Sequence, residues 1–230
     1  MPSQNPPTNL KMLKEADRKE VYAKLDLYTR DGKLVFNIQD EPTLEQFETL
    51  IGESTTHVAN CVLNTPEYFP IKVKKDGTQY KKQREYLKDD YNYDGKKIDY
   101  QICHEYWKDG DNDWLYGLFY DNRLVKVGMT ITSLEERYGS YSCGTTRAMK
   151  KGSCSTTNFI ISECNYVAKK NGMTVKIYGI KCPVTKITKT RFGITKICNS
   201  STVRDQETML IECFKNKYNH LPVLCVQSGK

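Results

Sequence analysis

Residues 114–128, WLYGLFYDNRLVKVG, set two apolar runs either side of Asp121-Asn122-Arg123, the pattern of a β-hairpin. Directly after it, Ser133-Leu134-Glu135-Glu136 has the Ser-x-x-Glu form of a capping box and predicts a helix through about Tyr141. The stretch CSTTNFIISECNYVAKKNG combines Ser/Thr capping candidates, an apolar stripe and a terminating Gly172, and predicts a second helix. VKIYGIKC reads as a strand and VRDQETMLIECFKNKY as a last helix, with a polar Lys/Thr-rich segment, 183–202, between them. Upstream, residues 11–28 repeat apolar positions at spacings of three and four, as a short helix does. KLVFNIQ then reads as a strand, and TLEQFETLIG as a helix closed by Gly52. Hairpin, helix, helix, strand and helix in that order predict an α+β domain: a small antiparallel sheet flanked by helices.

The pattern is weaker before residue 113. Residues 1–10 are rich in Pro, Asn and Ser and are expected to be disordered. Residues 72–100 are dense in charge and tyrosine, with too little aliphatic content for a core, and suit a linker, an arm or an extended contact surface. Asp109-Gly110-Asp111-Asn112 is a strong turn signal and the natural boundary. The expected organisation is an N-terminal mixed and helical extension over 1–110 and a folded domain over 111–230.

Composition narrows the function classes. No run approaches 18 apolar residues, and MPSQNPPTNL lacks a charged segment followed by an apolar one, so a membrane span and a secretory signal are not expected, and a cytoplasmic location is. The nine cysteines contain no Cys-x-x-Cys pair and are expected to be reduced thiols. The net charge of +7 is uneven: residues 1–110 hold 17 Lys and Arg against 19 Asp and Glu, and residues 111–230 hold 18 against 9. Between 141 and 204, 12 basic residues face one acid, Glu163. Such a stretch attracts polyanions, nucleic acid first among them, although a solubilising face would have the same composition.

Three placements bear on chemistry. If Asp121-Asn122-Arg123 is a three-residue loop, Tyr120 pairs with Leu124, and Tyr116, Leu118, Lys126 and Gly128 share one face; a two-residue loop would separate Tyr116 from Lys126. Arg137 and Tyr141, four residues apart, project from one face of the following helix. In the last helix Glu207 falls within a stripe of Val203, Leu210, Ile211, Phe214 and Tyr218, where a carboxylate loses hydration and needs a cation or strong donors. A structural salt bridge and a ligand role both satisfy that need. Glu212 falls on the opposite, polar face.

Together these residues resemble the GIY-YIG nuclease superfamily. Trp114-Leu115-Tyr116 matches the first half-motif and Lys126-Val127-Gly128 the second; SLEERYGSY supplies Arg137 and Tyr141, and ETMLIE supplies Glu207. KVGMTITSLEERYGSYSCG, KKGSCSTTNFIIS and QETMLIECFKNKYNHLPVLC are similar, in order and spacing, to small homodimeric type II restriction endonucleases with lysine opening the second half-motif. The resemblance covers about residues 113–230. Trp114 stands where the pattern has glycine, and 183–202 is longer than the pattern.

The resemblance implies the GIY-YIG fold and hydrolysis of DNA phosphodiesters at a specific sequence with one divalent cation, Mg2+ or Mn2+. It implies that Glu207 holds the metal, Tyr116 positions or deprotonates water beside Lys126, Arg137 clamps phosphate oxygens, and Tyr141 donates a hydrogen bond to the phosphate. Gly128 is expected to relieve crowding beside that phosphate. Arg147, Lys150 and Lys151 are candidate contacts to the DNA backbone. Double-stranded DNA, a second copy of the chain and a protective host methyltransferase are the implied partners. A homing or repair nuclease would share the site, and a catalytically silent DNA-binding module would share the basic face.

Overall fold

The structure is a computed structural model, and it describes residues 15–70, 73–78, 95–192 and 194–225. The segment expected to be disordered, 1–10, and most of the charged tyrosine-rich arm lie outside those residues. Five strands form one antiparallel sheet: β3 (Thr56–Leu63), β4 (Ile98–Ile102), β5 (Asp113–Tyr120), β6 (Arg123–Thr130) and β7 (Val175–Cys182), in the order β4-β3-β7-β5-β6. Helices flank it, so the α+β class read from the pattern is the one observed. Two small ribbons stand apart: β1 (Thr29–Arg30) with β2 (Lys33–Leu34), and β8 (Thr185–Arg191) with β9 (Ile194–Ser200). The pattern had assigned no element to 183–202.

Local chemistry sets the helix starts. In α2 (Leu44–Ile51) the Thr43 side chain accepts from Gln46 N–H while the Gln46 side chain accepts from Thr43 N–H, and Gly52 ends the helix at φ 73°. Ser133 accepts from Glu136 N–H to open α3 (Leu134–Ser142), and Ser155 accepts from Asn158 N–H to open α5 (Thr156–Lys170). The short α4 (Thr146–Lys150), capped by Thr145, was not anticipated. The first and last helices are α1 (Glu15–Leu25) and α6 (Val203–Tyr218). KLVFNIQ holds only the two-residue β2 and a 3-10 turn at Ile38–Asp40.

The hairpin departs from the expected turn. Asp121 and Asn122, at φ 44° and 67°, form a two-residue loop, and Tyr120 pairs with Arg123. A bulge then inserts Val125: Phe119 pairs with Leu124 but Leu118 with Lys126, which restores Tyr116 opposite Gly128. Tyr116, Leu118, Lys126 and Gly128 therefore do share a face, through the bulge rather than the loop.

The division at 110/111 does not separate two cores. β3 and β4 lie before it yet belong to the sheet, because antiparallel β7 needs a partner on each side. The larger core cluster draws on Val58, Cys61, Ile98, Tyr100 and Trp107 as well as on Tyr116, Tyr138 and Phe159. Residues 97–100, expected to belong to a linker, an arm or a contact surface rather than to a core, are all buried. On the other sheet face, α6 packs Val203, Leu210 and Phe214 against Leu115, Phe119, Leu124 and Val127.

β6 is an edge strand, and bare edges invite pairing with other chains. Here Leu124 N–H donates to Pro42 O at 2.9 Å, and Leu224 N–H donates to the bulged Val125 O at 2.8 Å. Glu41 joins the two covering segments: its Oε1 accepts from Val223 N–H at 3.1 Å and its backbone O accepts from Arg123 Nη1 at 2.9 Å. The side chain is 4% exposed, and burial pushes its carboxyl up to about 7, against the opposing pull of His220 and the Val223 amide. The folded state thus binds more protons than the unfolded state between about 4.5 and 7, and stability falls as pH rises through that window. Glu41→Gln is expected to flatten this slope and to melt higher than the parent above pH 7, as urea titrations across that range would record.

Candidate active site

Tyr116 sits on β5 against the face that α3 covers, and α3 brings two partners to its hydroxyl. Arg137 Nε donates to Tyr116 Oη at 2.9 Å, and the hydroxyls of Tyr116 and Tyr141 lie 2.7 Å apart. Burial first, and the neighbouring Tyr116 second, push the Tyr141 phenol well above its usual range, so it keeps its proton. The Arg137 guanidinium lies over the Tyr141 ring, 4.9 Å from its centroid. Burial opposes its charge, yet Tyr116 and Tyr141 outweigh that and hold the group above its ordinary value.

Tyr138 stands behind this trio and was missed in the sequence. Its ring makes edge contacts with Tyr116 at 5.1 Å and Tyr141 at 5.3 Å, and Tyr100 and Trp107 pack on it in turn. The signal was available: Tyr138 lies three residues before Tyr141, one helical turn along the same side. Such packing fixes the two phenols in place.

Gly128 has a definite reason. A Cβ there would overlap the hydroxyl end of the Tyr116 ring, so the glycine makes room for the tyrosine. Tyr116 cannot swing away, because Arg137 and Tyr141 hold its oxygen and it is 1% exposed. Gly128→Ala should therefore cost about 1–3 kcal/mol, the usual scale of overpacking, in a thermal or urea melt.

Glu207 approaches from α6, on the second turn of the helix. Burial raises its carboxyl pKa, while Lys126, Arg137, the Met129 amide and Arg204 pull it down. The Met129 amide puts the carboxylate beside β6, within electrostatic range of the hairpin lysine and of the arginine of α3. Lys126 is 7% exposed and is also felt by the Cys225 thiol beside it. Of the five residues singled out in the sequence, Tyr116, Arg137 and Tyr141 share one hydrogen-bonded cluster, and Glu207 lies within electrostatic range of Lys126 and Arg137.

Among the described residues no three His, Cys, Asp or Glu side chains converge as a metal cage. A lone half-buried carboxylate does suit a hard cation that keeps most of its water, as magnesium does. The three proposed backbone contacts divide. Arg147 and Lys151 are exposed, whereas the half-buried Lys150 lines a cavity of about 470 Å3 with Lys97, Glu163, Thr146 and Phe159.

No family model matches the sequence, and no curated protein sequence matches it. Among solved structures the chain is similar to the restriction endonuclease HPY188I in complex with product DNA. The identity is 22% and the TM-score 0.48, over 87% of this chain and 97% of that one. It is also similar to a mutant of bacteriophage T4 EndoII, with 15% identity and a TM-score of 0.40 over 76% of this chain and 95% of that one. Likenesses of this degree leave the function to be argued from the chain's own side chains. Among the described residues no helix is long and apolar enough to cross a membrane.

Proposed function

We propose that this chain is a metal-dependent DNA endonuclease of the GIY-YIG type, acting as a type II restriction enzyme on double-stranded DNA. The observation that carries the reading is one oxygen, Tyr116 Oη, held by Arg137 and Tyr141, with Glu207 in electrostatic range of Arg137 and Lys126. A carboxylate left partly dehydrated beside two cations costs stability, and a function that uses it accounts for its position.

Hydrolysis adds water to phosphorus and breaks the bond to a sugar oxygen. The side chains must therefore orient that water, take its proton and offset charge on the phosphate. Tyr116 Oη accepts from Arg137 Nε and is hydrogen-bonded to the Tyr141 hydroxyl, and these two partners hold it in place to act on the water. With Nε committed to Tyr116, the remaining guanidinium nitrogens of Arg137 are left for phosphate oxygens, for which their fork is suited. Lys126 adds positive charge from the hairpin side. Glu207 would hold the divalent cation, magnesium or manganese, which when bound offsets charge on the phosphate and leaving oxygen. Arg147 and Lys151 would contact the backbone and supply affinity without sequence reading.

Two copies acting together would cut both strands, and a host methyltransferase would protect the matching sites. In this reading residues 1–110 extend a nuclease unit over 111–230 by completing its sheet. The test is to incubate the purified protein with mixed-sequence DNA and magnesium and to sequence the ends. Ends sharing one motif support the restriction reading; random nicking supports a repair-type nuclease; binding without any cut overturns the catalytic assignment.

A further inference from the structure

The β8–β9 ribbon belongs to neither core cluster nor to the main sheet. Lys186, Thr188, Lys189 and Thr190 on one strand, and Ile194, Thr195, Lys196 and Ile197 on the other, are all exposed. Phe192, at the tip with φ 55°, is 90% exposed, and Ile197 is 73% exposed. A two-stranded ribbon outside both cores is marginally stable in water, and the exposed Ile194 and Ile197 forgo their burial.

Its register adds a second cost. Lys189 lies directly opposite Lys196, and like charges facing each other across strands are destabilising. The ribbon brings no acid of its own: 183–202 contains Lys186, Lys189, Arg191 and Lys196 and no Asp or Glu. Glu163, the sole acid of the wider basic stretch, is 3% exposed and bound to Lys97, so it adds no negative charge to that surface. A facing polyanion removes the repulsion, and apolar base and sugar edges would cover Ile194 on the same face.

We propose that the β8–β9 ribbon lies in a groove of duplex DNA, with the face that carries Lys189, Lys196 and Ile194 against it. A two-stranded ribbon fits the major groove, about 12 Å wide, and seven residues extend roughly 24 Å. The nuclease reading enters only in saying where the duplex lies, and the ribbon's root agrees with it. Cys182, pairing with Asp113, is three register steps from the Tyr116–Gly179 pair, about 10 Å along the strand. At the other end Val203 opens α6 one turn before Glu207. DNA in contact with Tyr116 and Glu207 would thus meet the ribbon next.

The experiment compares the full chain with two double variants, Lys189→Ala with Lys196→Ala, and Thr188→Ala with Ile197→Ala on the opposite face. Binding to a mixed-sequence 30-base-pair duplex (~30 is enough to span several contacts) is measured by anisotropy across a salt series in EDTA, where cutting does not intervene. The lysine variant should bind more weakly, with the slope of log K against log salt shallower by about 2, and should melt no lower than the parent. The opposite-face variant should bind like the parent. An unchanged slope in the lysine variant, or an equal loss in the control, overturns the proposal. Cleavage by the parent in magnesium is scored separately. A duplex bound through the ribbon yet never cut upholds the ribbon and removes the nuclease reading, while cutting with an unchanged slope does the reverse.

Discussion

Glu207→Ala is expected to lower DNA cleavage by at least about 10^3-fold, the scale of losing the ligand for a charge-stabilising cation. Binding of the same duplex in EDTA should survive, because the variant keeps Lys126 and Arg137 and removes a negative charge beside them. The melting temperature separates this role from a structural one. Burial outweighs the cations in setting the Glu207 pKa, so the carboxylate costs stability when ionised, and that cost grows as pH rises. Alanine should therefore melt at or above the parent at pH 8. A salt bridge held for stability would give the opposite result, a lower melting point with cleavage retained, and that pair of outcomes would remove the metal assignment. A gain in stability with loss of activity is the usual mark of a functional group placed at some cost to the fold.

The hairpin illustrates how far the sequence could be read. The shared face of Tyr116 and Lys126 rests on counting residues between strands, and two-residue and three-residue loops give opposite answers. Asp121-Asn122 forms the shorter loop, but Val125 bulges, and the two shifts cancel. The bulge was not legible because its stabilising partners lie elsewhere: Pro42 O takes the Leu124 amide, and the Leu224 amide takes the Val125 carbonyl. Arg137 and Tyr141 were legible because a helix fixes a four-residue spacing internally. Glu207 was legible because an acid in an apolar stripe is a local contradiction. β4 was not, since Ile98 and Tyr100 form a short apolar alternation behind a long charged run, and only pairing with β3 makes them core. The β8–β9 ribbon was hidden for a related reason: standing outside both cores, it has no apolar alternation to detect.

Lys97 and Glu163 supply the largest expected effect on stability, and neither reads as core in the sequence. Lys97 Nζ donates to both carboxylate oxygens at 3.0 and 2.9 Å, with the side chains 3% and 4% exposed, and the ammonium also lies 4.9 Å from the centroid of the Tyr166 ring. Burial raises the Glu163 pKa in spite of Lys97, so the pair does not repay the full cost of dehydration and is not itself the source of stability. Breaking it is a different matter. Glu163→Ala leaves a charged lysine in the core and should cost about 3–5 kcal/mol, lowering the melting temperature by on the order of 10 °C in a chain of this size. Replacing both, Lys97→Met with Glu163→Leu, should recover most of that loss and reduce the dependence of stability on pH, because the raised carboxyl is gone. The adjoining cavity of about 470 Å3 decides the alternative. Should water filling it solvate the Lys97 ammonium once Glu163 is gone, Glu163→Ala would cost less than about 1 kcal/mol and the double replacement would gain nothing. That result would make the pair part of a wet pocket rather than of the core.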